Sequence, residues 1–500
     1  MVTSKSRWYA LAALALSTLA IGLDTTILSV ALPTLSRDLH ASTGDLQWFT
    51  NSYLLVLAAV LLPAGMLGDR FGRKKLLLGA LFVFGAASAA CARAAGTGEL
   101  IAARTALGLG AAVIMPLSGS VLTVLFKDKE RSRALGIWLT ASALGIPLGP
   151  LLGGWLLDNF WWGSVFLINV PLIAVALVAV TLWVPESHGD RTRRFDPLGV
   201  LLSASGLVAL TYGIIEAGDR GWSDARSLTT MIAGVLALIA FVVRQRTAKF
   251  PLVDLDLFRS RQFTGGAVLA TVASFGMLGL MFSLPQFYSA VEGQDAFGSG
   301  LRLLPVIGGL LVGARTAEKI AARIGSRLVI AGGLALMTAA LLLGATTSAT
   351  SGFGFIAVWV SLAGLGLGFT LPPSMDAALG ALTPERSGVG NGLIQAMRQV
   401  GGAIGVAVLG TVLNGAYRDA LPAAAGDATR ESVAAGVTGD PALLGAVRAA
   451  FTHGMDVSLV VAAAVAAAGV VLALVMLPGR TPPPAAAVEA ERLTLAESGL

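Results

Sequence analysis

The sequence predicts an all-α integral membrane protein with fourteen membrane-spanning helices. Hydrophobic residues make up 55% of its 500 residues and charged residues only 13%, against about 25% charged residues in soluble proteins. The mean hydropathy is +0.78, and apolar runs of about twenty residues, long enough to cross a bilayer, recur along the chain. Lys and Arg gather in the short segments between these runs. An ordinary soluble protein is therefore excluded.

The first apolar run follows Lys5 and Arg7 and covers residues 8–32. A secretory signal peptide also begins with positive charge, but its apolar region is only about 7–15 residues long. Because this run is longer and further spans follow, we interpret it as an uncleaved first helix.

Thirteen further spans are predicted from the same criterion of apolar length. They cover residues 46–67, 76–95, 100–125, 134–157, 165–184, 198–216, 228–243, 263–288, 300–317, 328–347, 353–371, 391–417 and 457–477. Two basic linkers, 185–197 and 244–261, flank the seventh and eighth spans. We therefore predict four parts: a six-helix bundle in 1–190, a two-helix insert in 191–261, a second six-helix bundle in 262–480, and a cytoplasmic tail in 481–500.

The distribution of positive charge predicts the orientation. With both termini in the cytoplasm, 25 of the 35 Lys and Arg residues lie inside and 8 outside, while Arg104 and Arg398 fall within spans. Cytoplasmic loops of membrane proteins carry such an excess, so we expect a multi-pass protein of the cell (inner or plasma) membrane, surrounded by lipid. The net charge of +6 follows loop position and forms no basic tract, which argues against a nucleic-acid partner.

Few residues point to other chemistry. The single cysteine, Cys91, lies in an apolar segment, and His40, His188 and His453 are scattered in predicted loops, so we expect no internal disulfide and no metal site. No nucleophile, base and orienting group cluster as in an enzyme. The long outer loop, about 418–456, is expected to be partly helical or mobile.

A charged turn joins the second and third spans and reads Gly-Met-Leu-Gly-Asp-Arg-Phe-Gly-Arg-Lys-Lys over residues 65–75. We expect its three glycines to permit close approach and turning, Asp69 to cap a neighbouring helix N-terminus, and the basic residues to hold the loop at the cytoplasmic surface. The alternative is a basic loop of any membrane protein. The pattern resembles the loop between the second and third helices of the major facilitator superfamily, and residues 313–327 carry a weaker echo of it.

We assign this turn to conformational switching rather than to binding, because Asp69 and Arg73 lie at the cytoplasmic end, far along the helix from the presumed midplane cavity. The residues concerned are Gly65, Gly68, Asp69, Arg70, Gly72 and Arg73.

Arg104 lies within the fourth span, where a charged side chain is costly and should face the protein interior with a carboxylate, carbonyl or water partner. The segment around it resembles the superfamily's Arg-x-x-Gln-Gly-x-Gly pattern, with Leu107 in the Gln position. The resemblance implies a role in proton transfer. The alternative is that Arg104 snorkels or braces helices.

Asp24 is the strongest site candidate in the first span. Thr18, Gly22, Thr25 and Ser29 follow helical spacing beside it and form a small, polar face that suits a cavity. A buried carboxylate there can exchange a proton for a cationic substrate. The alternative is that Asp24 only hydrogen-bonds another helix.

Glycines recur every four residues in the fifth span, and two prolines lie between them. This spacing predicts a smooth helix face for close packing, bent where proline removes backbone donors. The pattern resembles the element of the superfamily's antiporters. It comprises Gly145, Pro147, Gly149, Pro150, Gly153 and Gly154.

Together with the run from Trp162 to Pro171 and the segment 371–405, these motifs resemble the fourteen-span drug:proton antiporter family, particularly its quaternary-ammonium and dye efflux pumps. The resemblance implies a major facilitator fold and the export of lipophilic, often cationic small molecules in exchange for protons. The proton gradient would drive export without a cofactor. The alternative is a dedicated exporter of an endogenous metabolite or antibiotic. Oligomeric state is left open.

Two further sets of residues are site candidates. Asp376 follows Pro372 and Pro373, where a broken helix would expose its carboxylate to the cavity mouth; helix capping is the alternative. Five aromatic side chains can stack on cations or serve as packing and interface anchors. They are Trp48, Tyr53, Trp138, Phe282 and Phe287.

Overall fold

The computed structural model describes residues 4–126, 128–189 and 196–479, which contain helices and no strand. The predicted tail at 481–500 and the middle of the first linker lie outside these residues. The α-helices are α1 (Ser4–Asp38), α2 (Thr43–Phe71), α3 (Arg73–Ala92), α4 (Thr97–Leu125), α5 (Asp128–Asn159), α6 (Ser164–Leu167), α7 (Asn169–Trp183), α8 (Pro197–Arg220), α9 (Ala225–Thr247), α10 (Arg261–Ala290), α11 (Ala296–Arg302), α12 (Leu304–Ile324), α13 (Ser326–Gly344), α14 (Phe353–Gly380), α15 (Pro384–Ala420), α16 (Asp427–Glu431), α17 (Val433–Thr438) and α18 (Leu444–Met476).

The prediction of fourteen spans is confirmed, because the described residues contain 14 helical segments long and apolar enough to cross a membrane. Two of these segments are each built from two helices: α6 and α7 form the sixth span, and α11 and α12 form the tenth. Pro305 stands in the first turn of α12, where its missing N–H costs no hydrogen bond. Most helices extend several residues beyond the predicted apolar runs, because polar residues continue the same helix into the loop regions.

The buried apolar side chains form two main clusters. One draws almost entirely on α1 to α7, and the other mainly on α10 to α18. We refer to these groups of helices as the N-terminal and C-terminal bundles. The side predicted to face the cytoplasm is called the inner side, and the opposite one the outer side.

The insert, α8 and α9, lies against both bundles, mainly through α8. Thr411 of α15 donates a hydrogen bond of 2.9 Å to the carbonyl of Ile214, and Asn414 donates one of 3.0 Å to Asp219. Trp48 of α2 contacts Tyr212 of α8, with 6.2 Å between ring centroids. In the described residues, the hydrogen bonds that join α8 to a bundle thus involve α15.

The outer loop between α15 and α18 contains two short α-helices and a 3-10 turn at Pro441–Leu443, in agreement with the expectation that it is partly helical. It packs on the outer ends of α1 and α2. The Ser36 and Ser432 hydroxyl oxygens are 2.8 Å apart, and Thr43 donates to the carbonyl of Glu431 at 3.3 Å. The loop thereby covers this end of the helices.

Candidate functional site: an inner cavity and a buried ion pair

A cavity of about 880 Å³ opens between the two bundles on the inner side. Its walls come from the inner ends of α2, α4, α5 and α15, and from the segment that follows α9. The polar lining residues include Asp69, Ser120, Lys249, Asp254, Arg386 and Gln395. Trp138 and Phe250 add aromatic surface. A cavity of this size matches those that bind drug-sized molecules.

The outer ends of the bundles are closed against each other. The Asp158 carboxylate at the end of α5 accepts hydrogen bonds from the backbone N–H groups of Ala296 (3.1 Å) and Phe297 (2.9 Å) at the start of α11. Nearby, Gly300 of α11 packs so tightly on Pro150 of α5 that an added Cβ would lie 2.3 Å from the Pro150 carbonyl oxygen. On the predicted orientation, the molecule is open to the cytoplasm and closed to the outside.

Asp24 and Arg104 form an ion pair inside the N-terminal bundle. The distance from Arg104 Nη1 to Asp24 Oδ2 is 2.6 Å, and the two side chains are 1% and 0% exposed. Arg104 Nε also donates to the carbonyl of Phe49 at 3.0 Å, and its guanidinium lies 4.6 Å from the centre of the Tyr53 ring. The buried Arg104 is therefore bound by a carboxylate and a backbone carbonyl, two of the three kinds of partner that we expected for it.

Two further polar side chains, Asn169 and Ser88, continue the network on the other oxygen of the Asp24 carboxylate. The Asn169 side-chain amide donates to Asp24 Oδ1 (3.3 Å) and to Ser88 Oγ (3.2 Å). Ser88 donates in turn to the carbonyl of Phe166 at 2.8 Å. The network joins α1, α3, α4 and α7. Sequence reasoning missed Asn169 and Ser88 as site residues, although Asn169 stands in the Trp162–Pro171 run that carries the family resemblance.

The expectation that Asp24 faces the cavity is wrong, because its carboxylate is fully buried and lies outside the cavity lining. A charged group inside the membrane is stabilised chiefly by an opposite charge with good hydrogen bonds, and Arg104 supplies that charge within the bundle. Arg104 itself does not snorkel. Leu107, in the position where the superfamily has Gln, is also fully buried and contributes no polar group.

The glycine face of α5 packs on α1, as its spacing predicted. An added Cβ would lie 2.5 Å from the Gly22 carbonyl carbon at Gly145, and 2.0 Å from Thr26 Oγ1 at Gly149. Thr26 also donates to the Gly145 carbonyl across the seam at 3.0 Å. Asp24 lies between Gly22 and Thr26 and is thus directly linked to this seam. Gly153 packs on Ile27, Gly154 faces α11, and α5 continues through Pro147 and Pro150.

The turn between α2 and α3 consists of Gly72, whose φ of 109° suits glycine. The expectation that Asp69 caps a helix is wrong: Asp69 pairs with Arg73 at 2.7 Å, and its backbone carbonyl accepts from Gly189 at 3.1 Å. Glu186 caps α3 instead, since its carboxylate accepts from the backbone N–H groups of Lys74 (3.0 Å) and Lys75 (3.2 Å).

The remaining residues of the turn, Gly68, Gly65 and Arg70, each have a different environment. Gly68 packs on Leu117 of α4, where a Cβ would stand 2.1 Å from a methyl carbon. Gly65 makes no such approach, so its predicted packing role is wrong. Gly65 and Asp69 both line the cavity, so the expectation that Asp69 lies far from the cavity is wrong as well. Arg70 lies over the Phe71 ring at 5.3 Å.

Asp376 does not reach the cavity. It lies in α14, which continues as one helix through Pro372 and Pro373, and its side chain is exposed and is not part of the cavity lining. The predicted break in this helix is therefore wrong, because a helix that crosses a membrane tolerates proline where other groups satisfy the freed backbone carbonyls.

Among the candidate aromatics, only Trp138 lines the cavity. Trp48 packs on α8, Tyr53 supports Arg104, and Phe282 and Phe287 are buried in the core. Sequence reasoning missed the contribution of the second linker, whose residues 249–252, 254 and 257 form part of the cavity wall.

The family model described as Major Facilitator Superfamily matches residues 14–406. A tetracenomycin C resistance and export protein of Streptomyces glaucescens is 36% identical over 417 residues, which are 83% of this chain and 77% of that protein. The multidrug efflux pump LfrA of Mycolicibacterium smegmatis is 32% identical over 482 residues, 92% and 94% of the two chains. Among solved structures, an inward-facing, unoccupied bacterial homolog of the human lysosomal transporter Spinster has a TM-score of 0.68 at 19% identity, covering 96% of this chain and all of that chain.

Proposed function

Because the chain belongs to the major facilitator superfamily, we propose that it is a proton-coupled antiporter that exports lipophilic compounds from the cytoplasm by alternating access. Its relatives include multidrug and antibiotic resistance exporters. The observation that carries the coupling is the buried Asp24–Arg104 pair, which lies beside the α1–α5 seam and apart from the cavity.

In this proposal the inner cavity receives the compound, and Asp24 receives the proton. Protonation removes the negative charge that holds Arg104, so the hydrogen bonds that join α1 to α4 and α7 weaken. Gly22 and Thr26, on either side of Asp24, contact α5. A shift of α1 therefore reaches α5, whose outer end forms the closure with α11. This closure is the element that switches between two states. Proton binding at Asp24 and substrate binding in the inner cavity shift its equilibrium in opposite directions.

The cavity lining supports a broad, lipophilic substrate class that includes cations. Leu61, Leu62 and Met115 give it apolar surface, and Trp138 offers a ring on which a cation can stack. Asp69 and Asp254 add negative charge at the inner end, although each has an arginine within ion-pair distance. We place both termini in the cytoplasm, on the basis of the charge distribution.

The second candidate is a dedicated exporter of one antibiotic or endogenous metabolite. It is favoured by the relative named for tetracenomycin C resistance and export. Efflux measurements with a panel of cationic, neutral and acidic compounds separate the two: transport of one chemical family supports the dedicated exporter, and transport of several supports the multidrug exporter.

The coupling role of Asp24 is tested with Asp24→Asn in proteoliposomes. The variant should lose accumulation of ethidium, a lipophilic cation, driven by a pH gradient, and should keep ethidium exchange without a gradient. Asp24→Glu, which retains the charge, should restore part of the coupled transport. Asp376→Asn removes an exposed acid from α14 and is the matched control, with transport expected near the wild-type rate. Gradient-driven accumulation by a correctly folded Asp24→Asn protein would remove Asp24 from the coupling role.

A further inference from the structure

Arg398 is the second arginine within a span, near the middle of α15, and its surroundings differ from those of Arg104. Its Nε donates to Ser274 Oγ at 3.3 Å, and its Nη1 donates to Gln395 Oε1 at 2.9 Å. The remaining contact is with the Met375 sulfur at 3.7 Å, which is a weak acceptor. All of these partners are neutral.

The contrast with Arg104 lies in the missing counter-charge. Arg104 is bound to a carboxylate, whereas no described carboxylate forms an ion pair with Arg398. In the part of the chain that the structure describes, Nη2 of Arg398 also has no hydrogen-bond acceptor. Arg398 keeps part of its surface exposed, whereas Arg104 is 1% exposed. An arginine cannot discharge itself by losing a proton, so this site favours an anion supplied from outside the bundle.

Arg398 continues the face of α15 that lines the inner cavity, although it is not itself one of the lining residues. Gly388, Asn391 and Gln395 all line it and follow one another at intervals of three and four residues. The same spacing next reaches Arg398, one turn deeper in the membrane than Gln395. The hydrogen bond between Gln395 and Arg398 connects the arginine directly with the cavity wall.

We infer that Arg398 binds an acidic oxygen of the transported compound, such as a carboxylate or an ionised phenol, at the deep end of the inner cavity. The inference rests on the proposed export function and adds compounds with an acidic oxygen to its substrate class. The guanidinium fork matches the two oxygens of a carboxylate, and a charge-assisted hydrogen bond is stronger than a neutral one. The cavity then holds acidic groups near its inner mouth and a cationic group at depth. Compounds that carry an apolar ring system and an anionic oxygen fit this arrangement.

Binding to the purified, detergent-solubilised full chain tests the inference without any proton gradient. The probes share one ring system and differ only in charge: 2-naphthoate, 2-naphthamide and 2-naphthyltrimethylammonium. The wild-type protein should bind naphthoate more tightly than naphthamide. Arg398→Gln should reduce that preference about tenfold or more, in line with the loss of a charge-assisted hydrogen bond, while naphthamide binding stays within about twofold.

Two further variants keep the result interpretable. Arg398→Lys retains the positive charge without the planar guanidinium and should keep an intermediate preference for naphthoate over naphthamide. This variant replaces Arg398→Gln in the test if the Gln variant does not fold. Arg246→Gln, at the exposed inner end of α9, removes the same charge from a residue outside the cavity lining and should bind all three probes as the wild type does. Equal wild-type affinity for naphthoate and naphthamide, or an unchanged preference in a folded Arg398→Gln protein, would overturn the inference. A failure of proton-driven transport would instead contradict the proposed function and leave this binding result intact.

Discussion

The contact between Gly300 of α11 and Pro150 of α5 provides a quantitative test of alternating access. Replacement of Gly300 by Ala would place a methyl carbon 2.3 Å from the Pro150 carbonyl oxygen and 2.9 Å from its carbon. Both neighbours are backbone atoms of a helix, so no side-chain rotation relieves the overlap. Overpacking of this kind costs about 1–3 kcal/mol.

This cost should fall on one state only. The contact joins the two bundles at the outer closure, and it separates when the protein opens outward. Gly300→Ala should therefore destabilise the inward-open state alone and shift the equilibrium towards the outward-open state by about 5- to 150-fold. The physical reason is that the added methyl group meets backbone atoms only while the closure is formed.

The assay measures access to a cysteine on the outer side. Ser289 lines a small outer pocket of about 60 Å³, and a Ser289→Cys change in a Cys91→Ala background gives a single reporter. Its rate of reaction with a membrane-impermeant thiol reagent should rise about fivefold or more when Gly300→Ala is added, because the outward-open population increases.

Gly145→Ala is the matched control. Its methyl group would overlap the backbone of Gly22 at 2.5 Å, but both helices belong to the N-terminal bundle, so the two states should be destabilised alike. Labelling should then stay near the reference rate while the melting temperature falls. An unchanged rate in Gly300→Ala, or an equal rise in both variants, would refute the assignment of the α5–α11 contact to the outer closure.

Two further predictions concern the inner side. Asp69→Asn removes the ion pair with Arg73 at the α2–α3 turn. Asp69 lines the cavity, but its charge is already paired with Arg73, so we expect turnover to fall several-fold with little change in substrate Kd; unchanged turnover with weaker binding would contradict the switching assignment. Burial raises the pKa of Asp196, but hydrogen bonds from Arg244 and neighbouring groups outweigh burial and leave its pKa below the usual value. The stability from this ion pair is therefore present above about pH 4, the ordinary pKa of Asp, and disappears as the pH falls through the lower folded-state pKa. Thermal unfolding should show Asp196→Asn less stable than wild type at pH 7, with the difference shrinking below about pH 4; a difference independent of pH would exclude this linkage.

The sequence by itself determined the features that depend on local composition. The number of spans follows from apolar length, because only a helix of about twenty residues satisfies its backbone across a bilayer. The single-residue turn at Gly72 and the glycine spacing of α5 are likewise local, since a helix carries residues four apart on one face. An arginine at position 104 also demanded a buried partner, whatever that partner was.

Tertiary structure alone decided which groups meet. Asp24 pairs with Arg104 across 80 residues of sequence, and Glu186 rather than Asp69 caps α3 across more than a hundred. Asp376 is exposed outside the cavity lining, while the linker after α9 forms part of the cavity wall. These outcomes depend on how each helix is rotated about its axis and on which bundle it packs against. Hydrophobic length is the same for every rotation of a helix, so it could not distinguish a carboxylate buried within a bundle from one that faces the cavity.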